Sequence, residues 1–249
     1  MVCRRSERGI RLEDVTWPVV QSHLDAGATA VLPVGAACKQ HGRHLPMNTD
    51  RLQADWFADE LSNAAHVVVW PPVGYGHYPA FVDYPGSCSV SYDTFKSSIC
   101  EILNGISRAG ARAIVVLNTG ISTIGPLNAA IEQIGIGRGI TLVNIYDGPD
   151  FREAAQRITA QPCGGHADEL ETSIMLAIAP HLVHMEKAET CIFEMTSGPL
   201  NRTDPKGPNY SPSGVYGDPT LATREKGEIL VKAILSDLMK AVGGADSPP

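Results

Sequence analysis

The side chains best suited to chemistry in this 249-residue chain fall in two short segments. The first, GAACKQHGRHLPMNTD, carries His41, His44 and Asp50 in a loop between two apolar segments. Imidazole and carboxylate groups are ligands of zinc, manganese and iron ions, and one carboxylate can bridge two ions. A carboxylate beside Thr49 would also favour the start of a following helix by its charge. The segment therefore predicts either a metal site or a polar loop that caps a helix.

The second segment, GGHADELETS, places His166 at the end of a glycine-rich loop and Glu171 about one turn into a helix. The apolar residues that follow Glu171 at helical spacing are Ile174, Met175 and Ile178. Glu171 therefore shares the inward face of that helix, where a lone carboxylate is unfavourable and needs a partner. His166 and Glu171 are either a catalytic pair or a structural pair that supports the loop. Asp168 and Glu169, at the helix start, are predicted to be surface acids.

These segments must be positioned by alternating strands and helices. The predicted strands cover residues 29–35, 66–72, 111–118 and 139–145, and the predicted helices cover 16–27, 49–65, 91–110, 125–135, a segment within 164–180, and 223–242. Such alternation predicts an α/β fold with a mostly parallel sheet covered on both faces. Ligands of such sheets bind at the carboxyl ends of the strands, so the loops 35–50, 118–125 and 146–150 should share one rim.

Composition limits the classes of protein. A formal charge of −7 without any basic run argues against a nucleic-acid partner. No segment approaches the roughly 18 continuous apolar residues of a membrane helix, and the N-terminal segment does not have the pattern of a signal peptide. The six cysteines lack CxxC spacing and are predicted to be reduced thiols. We expect one cytoplasmic domain over residues 1–249, with a flexible tail at 243–249.

Four segments, in order along the chain, resemble the creatininase family. VLPVGAACKQHGRHLPMNTD resembles the family's opening signature, which is PVG, then E-Q-H-G-P-H-L-P, then a T-D or V-D pair. YGHYPAFVDYPGS resembles its Gly-Tyr loop and P-G-T/S turn. GGHADELETSIMLAIAPHLV and GVYGDPTLATREKGEILV resemble its H-A-G-E-x-E-T-S segment and its C-terminal block. The resemblance covers nearly the whole chain and is more specific than any single motif.

The resemblance implies a three-layer α/β/α sandwich, commonly a hexamer, with one or two divalent ions at the strand ends. It implies hydrolysis of C–N bonds in small amides or cyclic amidines such as creatinine, or the trimming of peptides and formamides. By matching positions, His41 would be a metal ligand and Asp50 the bridging ligand. His166 would orient or deprotonate the attacking water, and Glu171 would correspond to the family's inner glutamate.

The chain departs from this pattern at the expected metal ligands. Lys39 and Gln40 stand in place of a first glutamate ligand and its neighbour, Gly120 in place of a histidine, and Ser122 in place of an acid. A protonated lysine cannot bind a cation, and a glutamine carbonyl is a weak ligand. The chain is therefore expected to hold one zinc, manganese or iron ion, with His41, Asp50 and the weaker Gln40 as candidate ligands, or to hold none.

Two functions follow, both on a small-molecule substrate. In the first, one ion activates water and His166 moves protons to open a C–N bond. In the second, Lys39 replaces a metal charge and the site catalyses a non-hydrolytic isomerisation, cyclisation or elimination. An inactive scaffold is a third hypothesis. The catalytic candidates are His166, Glu171 and Lys39, and the substrate-binding candidates are Tyr75, His77, Tyr78, Phe81, Ser122 and Asp147.

Overall fold

A computed structural model describes residues 8–135 and 139–245. Its strands form one parallel sheet, and they are β1 (Ile10–Arg11), β2 (Thr29–Val34), β3 (Val67–Val69), β4 (Ile114–Asn118) and β5 (Ile140–Asn144). The order across the sheet is β1-β3-β2-β4-β5. The α-helices are α1 (Trp17–Asp25), α2 (Thr49–Ala64), α3 (Tyr92–Arg108), α4 (Ile124–Ile134), α5 (Pro149–Ile158), α6 (Glu169–Ile178) and α7 (Arg224–Ala245).

Alternate residues of β2 enter two separate hydrophobic cores, because successive side chains of a strand point to opposite faces. Val31 packs with α2, α5, α6 and α7 on one face of the sheet. Leu32 and Val34 pack with α3 and α4 on the other face, where α1 also lies through Leu24. Burial on both faces explains why β2 is a continuous apolar segment. The predicted α/β class with a covered parallel sheet is confirmed.

The connections between strands change direction at the paired strands β2 and β4, where the site loops lie. From β2 the chain crosses to β3 through α2 on one face, whereas β4 is followed by α4 on the opposite face. Such a reversal leaves a crevice at the carboxyl ends of the two strands. Pro33 is tolerated in β2 because it lies beyond Val31, the last residue of β2 in register with β3, so no ladder bond to β3 needs its missing N–H.

Two elements were not predicted from sequence. β1 is only two residues long and carries too little pattern to be found, and α5 begins at Pro149, within the predicted rim loop 146–150. The tail prediction was wrong for residues 243–245, which belong to α7. Residues 1–7 and 246–249, which include the remaining tail and most of the N-terminal segment, lie outside the described residues. Among the helices of the described part, none is long and apolar enough to span a membrane.

Helix α7 approaches α6 so closely that one position must be glycine. A Cβ built on Gly227 would lie 1.9 Å from the backbone oxygen of Ser173. We therefore expect Gly227→Ala to lower the free energy of unfolding by about 1–3 kcal/mol or more, as overpacking of a core does. Thermal and denaturant unfolding measure the change.

Gly243→Ala is the matched control, because it lies in the same helix and a Cβ there would meet nothing within 4 Å. It should leave stability unchanged or raise it slightly through helix propensity. Equal stability of the two variants would contradict the close contact between α6 and α7.

Candidate active site

A cavity of about 230 Å³ opens at the carboxyl ends of β2, β4 and β5. It contains Lys39 from the loop after β2 and His166 and Glu171 from the segment that begins α6. Its remaining walls are mostly apolar or aromatic, and they include Phe81, Ile121, Tyr146, Phe151 and Leu170. Titratable groups on an otherwise apolar concave surface are typical of a small-molecule site. Its volume is below the range of about 300–1,000 Å³ that is common for drug-sized ligands, so it suits a smaller molecule.

Asp50 lies at the centre of the polar cluster, in the first turn of α2. Its Oδ2 atom is 2.7 Å from Nζ of Lys39, and its Oδ1 atom is 2.9 Å from Nε2 of His41. All three side chains are buried. Burial alone would raise the pKa of Asp50, but the charges of Lys39 and His41 outweigh it and hold that pKa well below its usual range. Asp50 is therefore a carboxylate at every physiological pH.

The orientation of the His41 ring is fixed by a hydrogen bond at Nδ1, the nitrogen that does not face Asp50. Nδ1 lies 2.9 Å from the backbone oxygen of Lys39, which can only accept, so Nδ1 carries a proton. Nε2 then faces the Asp50 carboxylate and, at 3.6 Å, Oε1 of Glu171. Two carboxylates next to an unprotonated nitrogen require either a second proton on His41 or a cation between them. This arrangement is the usual support of a metal-binding histidine by a backbone carbonyl.

His166 lines the cavity, and its Nδ1 atom faces Glu171. Its Nε2 atom lies 2.9 Å from the backbone oxygen of Gln40 and 3.2 Å from the amide nitrogen of the same residue. We assign the proton to Nε2 and the lone pair to Nδ1, because the backbone oxygen is the shorter contact and can only accept. Nδ1 is 4.0 Å from Oε2 of Glu171. Burial lowers the pKa of His166 well below its usual value, and the positive charges of His41 and Lys39 lower it further. His166 is therefore a neutral imidazole that can accept a proton.

Glu171 joins the two histidines. Its Oε2 atom accepts from the backbone N–H of Ala167 at 2.6 Å, and its Oε1 atom faces His41. Burial raises the pKa of Glu171. The charge of His41 lowers this pKa in part, and the negative charge of Asp50 raises it further. Ala167 has φ of 49°, in the left-handed region that non-glycine residues rarely adopt. This strained residue turns the chain between His166 and the helix, which is common at functional sites.

A family model described as "Creatininase: Creatinine amidohydrolase" matches residues 13–242 of the chain. The chain belongs to the creatininase family. It is 24% identical to the creatinine amidohydrolase of Pseudomonas putida, over 94% of this chain and 96% of the relative. It is 28% identical to the mycofactocin precursor peptide peptidase of Mycolicibacterium smegmatis, over 80% of this chain and 77% of the relative.

The fold of the chain is that of solved creatininases. A structure of creatininase in a manganese form superposes with a TM-score of 0.82 at 23% identity, covering 97% of this chain and 100% of the other. A mutant creatininase of zinc–zinc type matches with the same TM-score, identity and coverage. The predicted creatininase-like sandwich is thus confirmed. Divalent ions are present by name in these relatives, which raises the question of whether this chain's side chains suit such ions.

One divalent ion fits the side chains of this creatininase-family member. Metal–ligand bonds of about 2.0–2.2 Å put two ligands of one ion about 3–4 Å apart. The separations of 2.9 Å between His41 and Asp50 and 3.6 Å between His41 and Glu171 fall in or near that range. His166 belongs to the same group, since ligand atoms of His41, His166 and Glu171 all lie within 4.8 Å of one another. Three protein ligands plus an open position are typical of a catalytic ion.

A second ion does not fit. The other oxygen of Asp50 is bound by the ammonium of Lys39, and Gly120, which faces this oxygen, has no side chain to offer. Gln40 also differs from its predicted role as a metal ligand. Its amide oxygen accepts from the N–H of Gly42 at 2.8 Å, and its amide nitrogen donates to Gly214 at 2.9 Å. Both ends of its amide bond the backbone, and its amide nitrogen also lies 3.2 Å from Nε2 of His166, so Gln40 supports the loop and contacts the ring of His166.

The predicted substrate-binding residues divide into two groups. Phe81 and Ser122 line the main cavity. Tyr78 lines a second, smaller cavity, which Lys39 and Ser122 also border. Three others lie away from the main cavity, because their side chains have other partners or face solvent. Tyr75 is 62% exposed. His77 bonds the backbone of Val90, and Asp147 pairs with Arg152 on the surface.

Tyr146 and Gln53 were not predicted from sequence as site residues. They form a hydrogen-bonded pair, and Tyr146 of this pair contacts Glu171. The Tyr146 hydroxyl donates to Oε1 of Gln53 at 2.6 Å and lies 3.5 Å from Oε1 of Glu171. Gln53 lies one turn after Asp50 on α2, so the i+3 spacing was the signal that could have found it. Burial raises the pKa of Tyr146 well above its usual value, and the charge of Glu171 adds to the shift. Tyr146 is therefore a hydrogen-bond donor and not a base.

The acids at the start of α6 were wrongly predicted to be surface residues. Asp168 is buried and accepts from the backbone N–H groups of Leu170 and Glu171, which caps the helix. Glu169 is fully buried, accepts from the N–H groups of the preceding loop at positions 160 and 161, and binds Lys226 of α7. The helix-start pattern could not reveal that the loop and α7 cover this end.

His44, the second histidine of the first segment, points away from the cavity. Its Nε2 atom lies 2.8 Å from the Thr172 hydroxyl, and its Nδ1 atom has no hydrogen-bond partner within residues 8–135 and 139–245. Burial lowers its pKa to about 4. Because the folded-state pKa lies below the unfolded value of about 6.5, the stabilising effect is complete above pH 6.5 and is lost as pH falls toward 4.

We expect His44→Gln to flatten the decline of stability between pH 7 and pH 4.5. The full shift corresponds to roughly 3–4 kcal/mol, at about 1.4 kcal/mol for each pKa unit. Denaturant unfolding at several pH values measures the slope. His181→Gln, at an exposed histidine, is the control and should keep the wild-type slope. An identical slope in both variants would exclude His44 as a source of acid sensitivity.

Proposed function

We propose that this protein is an amidohydrolase that opens a C–N bond of a small amide or of a cyclic amide or amidine. The observation that carries the proposal is the convergence of His41, Asp50, Glu171 and His166 in one buried cluster, of which Glu171 and His166 line the main cavity. We assign one divalent ion to His41, Asp50 and Glu171 and reserve the lone pair of His166 for proton transfer. Ligand atoms of His166 lie within 4.8 Å of those of His41 and Glu171, so this base would lie next to the ion. The names of two relatives, creatinine amidohydrolase and a peptide peptidase, support hydrolysis of C–N bonds.

The residues divide the work by charge and protonation. A zinc, manganese or iron ion at His41, Asp50 and Glu171 would act as a Lewis acid on the substrate carbonyl and would lower the pKa of water. His166 accepts the proton of the attacking water at Nδ1 and returns it to the leaving nitrogen. Its N–H bond to the Gln40 backbone keeps Nδ1 turned toward the cavity throughout. The aromatic and aliphatic walls hold the apolar part of a small substrate.

A second candidate is non-hydrolytic acid–base chemistry, such as isomerisation, cyclisation or elimination. The buried contact between Lys39 and Asp50 favours it, because a metal-free site would keep positive charge at this position. The ammonium could then polarise a carbonyl while His166 moves a proton on carbon or nitrogen. The two candidates differ in whether activity depends on a divalent ion. Homo-oligomeric assembly, a hexamer by the family resemblance, stays a prediction.

We expect His166→Ala to lower turnover by at least about 10²-fold, since general acid–base groups contribute roughly that much or more. Creatinine, small amides, formamides and short peptides form the substrate panel. His181→Ala is the matched control at an exposed histidine and should keep wild-type activity. Circular dichroism verifies that both variants fold. Near-wild-type turnover by a folded His166→Ala enzyme would remove His166 from the mechanism.

Removal of divalent ions separates the two candidates. The purified chain is dialysed against a chelator, its metal content is measured by elemental analysis, and turnover is assayed before and after zinc or manganese is restored. The hydrolase proposal expects loss of activity and recovery with about one ion per chain. Full activity in ion-free protein would favour the non-hydrolytic candidate. Two tightly held ions per chain would contradict both.

A further inference from the structure

One oxygen of the Asp50 carboxylate is bound by a cation that belongs to the chain itself. Nζ of Lys39 lies 2.7 Å from Oδ2, and the two side chains are only 7% and 2% exposed. The ring of Phe81 lies 4.9 Å from the same nitrogen and shields it with its electron-rich face. A buried ammonium needs such partners, because burial of an unpaired charge is strongly unfavourable. The fold therefore holds Lys39 in place as a charged group.

Gly120, after β4, faces the same carboxylate oxygen from the opposite loop. A Cβ built on Gly120 would lie 3.8 Å from Oδ2 of Asp50 and 2.9 Å from Oγ1 of Thr123, so a side chain there would border this oxygen and would require Thr123 to shift. The remaining space is a cavity of about 10 Å³ bordered by Lys39, Asp50, Gly120 and Ser122. Such a volume holds about one water molecule and no hydrated ion. The lysine side chain and the missing side chain at position 120 are thus complementary.

We propose that Lys39 is a built-in cation that takes the place of a second divalent ion on Asp50. The inference deepens the proposed function and rests on it, because it assigns the electrostatic role of one half of the same site. On this assignment the ammonium neutralises one oxygen of Asp50, and the other oxygen would remain, with His41 and Glu171, to hold one ion. The chain therefore needs only one ion to balance its site.

The built-in cation also defines what the substrate must offer. An ammonium has three N–H donors, and within the described residues Asp50 is the single carboxylate that Lys39 contacts. Lys39 lines the main cavity together with His166, so a free N–H can reach a substrate oxygen near the proton-transfer group. This geometry suits a carbonyl oxygen adjacent to the bond that breaks, where negative charge develops. Unlike a bound ion, this charge is present without any metal supply.

The test is a count of ions in variants of Lys39. Lys39→Glu replaces the ammonium with a ligand, and Lys39→Met removes the charge with little change in length and adds only a weak ligand. Wild type and both variants are equilibrated with manganese or zinc, passed through a desalting column and analysed for metal per chain. We expect at most one ion in wild type, one more in Lys39→Glu, and no increase in Lys39→Met. Thermal melting shows which proteins are folded.

Lys39→Glu places two carboxylates together and can fail to fold without ions, so Lys39→His serves as a second variant. An imidazole adds a ligand without a negative charge, and the same gain of one ion is expected. A folded Lys39→Glu or Lys39→His protein with the wild-type ion count would overturn the inference, as would two tightly bound ions in wild type. The readout is independent of turnover. A gain of ions in these variants alongside absent amidase activity in the wild-type protein would preserve this inference and reject the proposed function.

Discussion

The carboxylate of Asp50 is the charge on which the site depends. It is fully buried, so it is stable only where positive charge reaches both of its oxygens. Lys39 supplies that charge to one oxygen, and the other faces His41. The loop after β2 folds back so that Lys39 and His41 both contact Asp50 in the first turn of α2. The positions of Lys39 and His41 in this loop therefore follow from the need to neutralise one buried carboxylate.

The second half of the site is held by hydrogen bonds to the backbone and by one ion pair behind the loop. Asp168 caps α6, and Glu169 fixes the loop before it through backbone N–H groups and Lys226. These bonds hold the strained turn at Ala167, and that turn aims His166 at Glu171. A base on such a support keeps its orientation without substrate, which is the kind of preorganisation that catalysis benefits from. The acids next to the catalytic pair are therefore structural.

Family membership and site chemistry carry different information. The fold matches creatininases across nearly the whole chain, yet folds host several activities and function must be argued from the site. Here the site keeps a histidine, two carboxylates and a proton-transfer group, while a lysine and a glycine stand where ligands would be needed for a second ion. The lysine and the glycine fit together, since the lysine fills the space beside Asp50 and supplies the positive charge that a second ion would otherwise provide. A single loss of a ligand would not show this complementarity.

The sequence by itself determined the order of elements, the covered parallel sheet and the family, because apolar periodicity and motifs are local properties of the chain. It also indicated Lys39, His41, Asp50, His166 and Glu171 as a group, since strand ends of a parallel sheet share one rim. Only the tertiary structure decided which of their atoms meet. It turned Gln40 and His44 away from the cavity, buried Asp168 and Glu169, and brought Tyr146 and Gln53 beneath Glu171. Those outcomes depend on contacts between residues far apart in the chain, such as Gln40 with Gly214, 174 positions apart, which no local pattern encodes.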